Sequence, residues 1–228
     1  MSHAHTQSTL SDSNALGQCL RTLELGQVAA WYAFESATSV AVPVSTGPGL
    51  SQQLFDELLS AGVLRMPHAS DTAVRRALYE PFAWCYAMEL PSQPALLLQL
   101  LEHLRSERGT SAARASLISL WDRLAQAEIH AYLAHLMRKN ALDPAGSELV
   151  MRALANEWAM HPLGRKRYLV WRAVRGGAAA LLQSGFDQAA ALQTLTDELR
   201  RSCRWLLLQE QARPLGPTWH RLDSSVRG

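Results

Sequence analysis

Apolar residues recur three or four positions apart along most of this 228-residue chain, the spacing that places them on one face of an α-helix. One such segment extends from Asn14 to about Ala37, and another begins at Ser51 and ends at Gly62. Glycine commonly follows the last residue of a helix because it adopts the left-handed backbone conformation at little cost. Residues 46–49, a Thr-Gly-Pro-Gly run, interrupt the pattern between the two segments. This arrangement predicts a mainly α-helical fold.

From Pro91 onward the pattern is uniformly helical. Asp143 followed by Pro144 is typical of a helix start, since aspartate caps the first turn and proline fits the first helical position. The adjacent glycines at 176 and 177 predict that the helix containing them is interrupted or kinked. We expect these segments to form a multi-helix bundle. The predicted helices are 93–107, 111–140, 143–160, 165–182 and 187–211.

The first part of the chain also has features of a winged helix-turn-helix. A helix that ends in glycine is followed by a short apolar segment, Val63 to Met66, which predicts a short strand or an extended exit that Pro67 ends. A second strand is less defined, because residues 73–82 fit either a strand or a helix capped at Ser70 or Asp71. Plain helical packing remains the alternative. We therefore predict a disordered tail at 1–13, a helical or winged-helix-like module at 14–90, a helical bundle at 91–212 and a loose tail at 213–228.

Composition narrows the class of protein. Hydrophobic residues make up 48% of the chain and charged residues 18%, which is enough apolar surface for a core and excludes disorder throughout. The three cysteines are odd in number and far apart, as expected for a protein of a reducing cytoplasm without disulfides. The N-terminus has no signal-peptide pattern, and the longest leucine-rich run is too short to span a bilayer. We expect a cytoplasmic protein with no membrane partner.

Charge is distributed unevenly along the chain. Residues 1–135 contain 8 basic and 12 acidic residues, a net charge of −4, whereas residues 136–228 contain 14 basic and 8 acidic residues, a net charge of +6. The overall charge of +2 therefore conceals a basic C-terminal half. Such asymmetry favours a polyanionic partner or an acidic protein surface.

The most basic segment, 158–186, contains no acidic residue. On a helical wheel, Arg165, Tyr168, Arg172 and Arg175 fall within an arc of about 80°. Val170, Val174 and Trp171 occupy the other side, where we expect them to pack. Arginine binds phosphate and an aromatic ring stacks on a base, so the helix at 165–182 is our candidate nucleic-acid-binding element. The alternative is a solvated arginine face paired with acids of neighbouring helices. The predicted binding residues are Arg165, Lys166, Arg167, Tyr168, Arg172 and Arg175.

Other polar pairs favour structural roles. Glu128 and His135 share the predicted apolar face of one long helix, and Glu157 and His161 are four residues apart. We interpret the first pair as polar groups satisfied within the core and the second as a helix-end cap. A third cluster on the last helix lies beside acidic residues and predicts a salt-bridge network. It contains Arg200, Arg201 and Arg204.

No local signature of catalysis, phosphate binding or metal binding is present in the sequence, so we expect no cofactor and no metal. Our leading hypothesis is a non-enzymatic helical subunit that binds DNA or RNA, contacting the backbone more than base edges. The modest net charge suggests that it acts with other protein subunits in a nucleoprotein complex. Two alternatives remain: a protein–protein adaptor or regulator that docks an acidic surface, and an enzyme whose active-site residues are dispersed along the chain.

Overall fold

The structure is a computed structural model that describes residues 15–40, 44–76, 83–154, 157 and 161–212. Within these ranges the fold is mainly helical, as predicted, with a small antiparallel sheet. The predicted tails, 1–13 and 213–228, lie outside the described residues. The helices are α1 (15–22), α2 (Leu25–Val40), α3 (Pro48–Ser60), α4 (Gln93–Glu107), α5 (Ser111–Lys139), α6 (Ser147–Leu154), α7 (Leu163–Gln183) and α8 (Gln188–Ala212). The strands are β1 (Leu64–Arg65), β2 (Arg75–Arg76) and β3 (Ala83–Tyr86).

The chain forms two compact units that divide between Glu128 and Ile129, within α5. We refer to them as unit 1, which precedes this point, and unit 2, which follows it. Each unit has its own cluster of buried hydrophobic side chains. The module boundary near residue 90 and the bundle arrangement of 91–212 stay predictions. Among the described residues, no helix is both long enough and apolar enough to cross a membrane.

The core of unit 1 is built around three aromatic rings from different elements. Phe34 of α2, Phe55 of α3 and Trp84 of β3 meet edge to face, with ring centroids 5.7 to 6.3 Å apart. This geometry is favourable because the positive edge of one ring faces the negative face of the next. The three rings therefore join both helices to the sheet.

The sheet of unit 1 has the strand order β1-β3-β2, and both pairings are antiparallel. Gly62 follows α3 with φ of 71°, which confirms its predicted role at the end of that helix. Within the segment 63–66, predicted as a short strand or an extended exit, Leu64–Arg65 form the strand β1. In the ambiguous segment 73–82, residues 75 and 76 form a strand, and residues 77–82 lie outside the described part of the chain. The winged-helix interpretation stays a prediction.

The sequence predicted a single helix over residues 14–37, which is wrong. The structure has two helices there, α1 and α2, because the chain turns between them. The Gln27 side chain accepts a hydrogen bond from the Glu24 amide at 3.0 Å and so caps the start of α2. Gly26 donates its amide to Ser116 Oγ of α5 at 2.9 Å, and a Cβ at Gly26 would lie only 2.9 Å from that oxygen. The second helix is thus fixed against α5 at its first turn, which apolar spacing alone does not reveal. α3 likewise begins at Pro48 rather than at Ser51.

The predicted start at Asp143 is confirmed in unit 2. The Asp143 carboxylate accepts a hydrogen bond from the Ala145 amide at 3.0 Å, and Pro144 begins a 3₁₀ turn that leads directly into α6. The predicted helix extended to residue 160. α6 ends at Leu154, and of residues 155–160 only Glu157 is described.

Helices α7 and α8 pack closely along their lengths, and glycine makes this approach possible. A Cβ at Gly177 would lie 3.0 Å from the Leu195 Cβ and 3.1 Å from the Ala191 carbonyl oxygen, both on α8. The sequence predicted an interruption or a kink at 176 and 177. The interruption is wrong, since α7 is continuous from Leu163 to Gln183, and the kink stays a prediction. The glycine serves close helix packing rather than a break in the helix.

Candidate functional site

Helix α7 has one buried face and one exposed face. The buried face includes Leu169, Val170, Ala173 and Val174, which belong to the core of unit 2. These positions repeat at three- and four-residue spacing, so the residues between them lie on the opposite side of the helix. That opposite side carries the aromatic residues and most of the arginines predicted to bind nucleic acid.

The structure places Lys166 on the buried face, with only 6% of its surface exposed. It is three and four residues before Leu169 and Val170, so the helix turns it toward the core with them. Its charge acts on Cys203 and His161, which are also buried. The prediction of Lys166 as a binding residue therefore needs correction, because its ammonium group is not presented at the surface.

Trp171 corrects the helical-wheel argument in the opposite direction. We expected it to pack beside Val170, yet 41% of its surface is exposed, as is 55% of Tyr168. The two rings lie 6.0 Å apart at 31°, and the Arg175 guanidinium lies 4.9 Å from the centre of the Trp171 ring. Positions 168, 171 and 175 are three and four residues apart, which brings the side chains together on one face. The exposed cluster is therefore both aromatic and cationic.

The remaining predicted arginines lie in different environments. Arg165 is half-buried, and Arg167 is exposed with its guanidinium 5.9 Å from the centre of the Tyr132 ring. Arg172 forms an ion pair with Glu198 of α8 at 3.0 Å, and Arg201 pairs with the same carboxylate at 3.2 Å. Glu198 thus links the exposed arginines of the two helices.

The arginine cluster of α8 forms the predicted salt-bridge network. Arg200 contacts Glu157 at 3.2 Å and Asp197 at 3.4 Å, and Arg204 contacts Glu157 at 3.5 Å. Together with the pairs at Glu198, four arginines share three carboxylates, and Arg175 adds a further positive charge. The network therefore retains a positive excess. We call Tyr168, Trp171, Arg172, Arg175 and Arg201 the arginine–aromatic surface.

The histidines of the two polar pairs considered from the sequence lie in different environments. His135 is exposed, so it is not a satisfied core group as we had interpreted it. His161 is buried, and burial lowers the pKa of its imidazole. Burial and the nearby Glu157 carboxylate raise the pKa of the Cys203 thiol to about 11, which makes it a poor nucleophile. Among the described residues, no three metal-binding side chains come together.

Sequence reasoning missed a polar cavity in unit 1. It has a volume of about 380 Å³, and its wall includes Glu35 of α2, Arg75 of β2 and Tyr86 of β3. Glu35 has an exposed fraction of 0%, and burial raises the pKa of its carboxyl group against the opposing effects of Arg75 and Gln93. One feature of the sequence could have indicated this buried group. Glu35 is a carboxylate in an otherwise apolar segment, directly after the core residue Phe34.

An ion pair forms part of the cavity wall. The two terminal nitrogens of the Arg65 guanidinium each donate to one oxygen of the Asp71 carboxylate, at 2.7 and 2.9 Å. Asp71 also accepts hydrogen bonds from the His68 amide at 2.6 Å and the Cys85 thiol at 3.6 Å. The hydrogen bonds from Arg65 and then from the His68 amide hold the pKa of the Asp71 carboxyl group well below its usual range.

Comparisons of the chain with protein-family models, curated proteins and solved structures gave no match.

Proposed function

We propose that this protein is a cytoplasmic, non-enzymatic subunit that binds nucleic acid through the arginine–aromatic surface of unit 2. The observation that carries the proposal is the exposed Tyr168–Trp171–Arg175 cluster. Guanidinium groups contact phosphate, and exposed rings stack on bases that are not held in a duplex. This combination favours single-stranded segments of DNA or RNA.

The charge of the surface supports backbone contact more than recognition of base edges. Arg172 and Arg201 both pair with Glu198, so two guanidinium groups share one negative charge. A phosphate is therefore able to approach both arginines while some of the existing ion pairs remain. A net charge of +2 for the whole chain is modest for a protein that binds nucleic acid alone. We therefore propose that the subunit acts inside a larger nucleoprotein complex, where other proteins supply further contacts.

The proposal is tested by the binding of labelled oligonucleotides of random sequence, single-stranded and duplex, across a salt series. Contact with phosphates requires affinity that falls as salt rises, with a log–log slope of about 0.7 per phosphate for single strands. The variant Arg172→Gln/Arg175→Gln removes two charges from the surface and should reduce that slope by about 1.4. Loss of the Arg172–Glu198 pair should cost only about 0–1 kcal/mol of folding stability, since Arg172 lies at the surface.

Arg152→Gln is the matched control. Arg152 belongs to the same unit, is exposed, and forms a surface ion pair with Glu148 on its own helix, outside the arginine–aromatic surface. The control should bind like the wild-type protein at every salt concentration. Absence of binding at low salt by the folded wild-type protein rejects the proposal. An equal loss of affinity in Arg172→Gln/Arg175→Gln and in Arg152→Gln rejects the arginine–aromatic surface as the binding site.

A protein partner with an acidic surface is the second candidate. Leu182 and Phe186, at and just beyond the C-terminal turn of α7, are both largely exposed and favour contact with an apolar patch on such a partner. A protein partner of this kind should lose affinity in Leu182→Ser and keep much of its affinity in high salt. Nucleic acid should instead keep its affinity for Leu182→Ser and lose affinity in high salt.

We also propose that residues 14–90 form a winged-helix-like module that acts as a scaffold. The antiparallel sheet that follows α3 supports a wing. Helix α3 contains no arginine or lysine, and its charged residues are Asp56 and Glu57. A helix that enters a DNA groove meets two rows of phosphates, so an acidic helix is unsuited to that role. The nucleic-acid contacts are therefore assigned to unit 2 alone.

A further inference from the structure

The part of α5 that belongs to unit 1 exposes two large apolar side chains. Ile118 and Trp121 have exposed fractions of 54% and 60%. They are three positions apart, so they are neighbours on the surface of the helix. Ala115, three positions before Ile118, is also exposed, and its small side chain allows another surface to come close. Adjacent exposed apolar groups of this kind favour contact with a second protein surface.

Two opposite charges lie on either side of Ile118, at equal distances along the helix. Arg114 is four positions before it and Asp122 is four positions after it, and both are exposed. Residues four apart are neighbours on a helix, so both charged side chains border Ile118. Neither has an ion-pair partner among the residues that the structure describes. Arg123, which follows Asp122 in the sequence, pairs with Glu57 instead.

These positions form a self-complementary set. Consider two copies of α5 packed antiparallel, with a two-fold axis at Ile118. A residue that precedes Ile118 by three or four positions is then level with the residue that follows it by the same number in the other copy. Arg114 faces Asp122 of the partner subunit, and Ala115 faces Trp121 of the partner subunit. Opposite charges therefore meet, a large ring meets a small side chain, and symmetry repeats each contact.

We propose that this face of α5 is the contact surface of a reversible, antiparallel homodimer. The isoleucines meet at the axis, and the pairs between Arg114 and Asp122 fix the direction and register of the two helices. An aromatic side chain buries about 150–250 Å², so two tryptophans contribute far less than the roughly 2,000 Å² of a permanent dimer. The dimer therefore dissociates readily. The contact uses residues of unit 1 alone and does not depend on the proposed nucleic-acid surface.

The test is sedimentation equilibrium of the full-length protein at concentrations from about 1 to 500 μM. We expect a monomer that becomes a dimer within this range and forms nothing larger, because a two-fold contact closes on itself. Trp121→Ala should weaken association at least about tenfold and leave the binding of a short oligonucleotide to one chain unchanged. A wild-type protein that is still monomeric at about 500 μM overturns the proposal and leaves this face to a different protein. Unweakened association of Trp121→Ala overturns it as well.

Charge reversal tests the antiparallel arrangement. Arg114→Glu and Asp122→Arg each place like charges opposite one another at both contacts, and each should weaken association at least about tenfold. Both positions are exposed, so the helix content measured by circular dichroism should be unchanged. An equimolar mixture of the two variants should form a heterodimer with about wild-type affinity, because opposite charges then meet again at both contacts.

Arg138→Glu is the matched control. Arg138 is an exposed arginine in the last turn of the same helix, far along its axis from Ile118, and the variant should dimerise like the wild-type protein. A mixture of Arg114→Glu and Asp122→Arg that does not associate rejects the antiparallel pairing. Wild-type dimerisation by each of these variants alone rejects this face as the contact surface.

Discussion

Glu35 is a carboxylate with an exposed fraction of 0%. Burial raises the pKa of its carboxyl group from 4.5, so the folded state holds this proton more tightly than the unfolded state does. The contribution of Glu35 to stability is therefore most favourable in acid. It is lost as the pH rises from 4.5 through the raised pKa, and the penalty persists above it. Wild-type unit 1 accordingly contains a buried carboxylate that is unfavourable at neutral pH.

Glu35→Gln should stabilise the protein at pH 8 relative to wild type, because the amide has no charge to desolvate. The difference should shrink toward pH 4, where the wild-type carboxyl group is itself protonated. Urea unfolding of both proteins at several pH values measures the difference between their free energies of unfolding. Asp71 contributes the opposite dependence on pH to both proteins, so its contribution cancels in that difference. If Glu35→Gln is less stable than wild type at pH 8, or if the difference in stability does not change with pH, the raised pKa of Glu35 is contradicted.

Cys203 should be nearly inert to alkylation in the folded protein. It is fully buried, and its pKa of about 11 leaves only about one thiol in a thousand ionised at pH 8. Reaction with iodoacetamide, followed by mass spectrometry, should modify Cys203 at least about a hundredfold more slowly in buffer than in urea. The half-buried Cys19 serves as the internal comparison. Rapid modification of Cys203 in the native protein would show that its environment is more open.

Lys166 and Trp171 show what could and could not be predicted at this scale. Helical spacing correctly grouped the residues of α7 into arcs. Which of these arcs faces the core is determined by the helices that pack against α7. We assigned a lysine to the surface and a tryptophan to the interior from their chemistry alone, whereas α8 packs against the face that contains Lys166. Burial of a lysine needs specific partners, and these are contributed by residues distant in sequence. Glu35 escaped attention for the same reason.

At the scale of elements, helix limits were easier to predict than the contacts between helices. The limits of α4 agree with the sequence pattern at both ends, and α5 agrees within one residue, because caps and glycines are local signals. The turn before α2 and the continuity of α7 were missed. Each depends on a glycine that lies against a second helix, Ser116 of α5 in one case and Leu195 of α8 in the other. Such contacts leave no periodic trace in the sequence.

The adjacent glycines of α7 provide a matched pair of variants. Gly177→Ala should destabilise the protein by about 1–3 kcal/mol, because its methyl group meets the Ala191 carbonyl and the Leu195 Cβ of α8. Gly176→Ala meets only the Glu198 Cγ at 3.9 Å, an ordinary contact, and should stabilise by up to about 1 kcal/mol through helix propensity. Thermal and urea unfolding of both variants measure the two effects. Similar stability of the two would indicate that the helices are farther apart than the structure places them.

At the scale of the whole molecule, the charge asymmetry coincides with the structural division. Unit 1 contains 8 basic and 12 acidic residues, and unit 2 contains 14 basic and 8 acidic residues. The sequence alone indicated the asymmetry but not that it separates two compact units. The proposed nucleic-acid surface lies in unit 2, whose net charge of +6 favours a polyanionic partner. Unit 1 has a net charge of −4.

Trp171→Ala distinguishes stacking from simple charge attraction at the arginine–aromatic surface. It removes a half-exposed ring and no charge, so binding to single-stranded nucleic acid should weaken by about 1–3 kcal/mol at every salt concentration. The log–log salt slope should stay near the wild-type value, since the number of neutralised phosphates is unchanged. Trp121→Ala, an exposed tryptophan of unit 1, is the matched control and should bind normally. Unchanged affinity in Trp171→Ala, alongside a reduced slope in Arg172→Gln/Arg175→Gln, would mean that the surface binds phosphates without stacking on bases. In that case duplex nucleic acid would be bound as well as single strands.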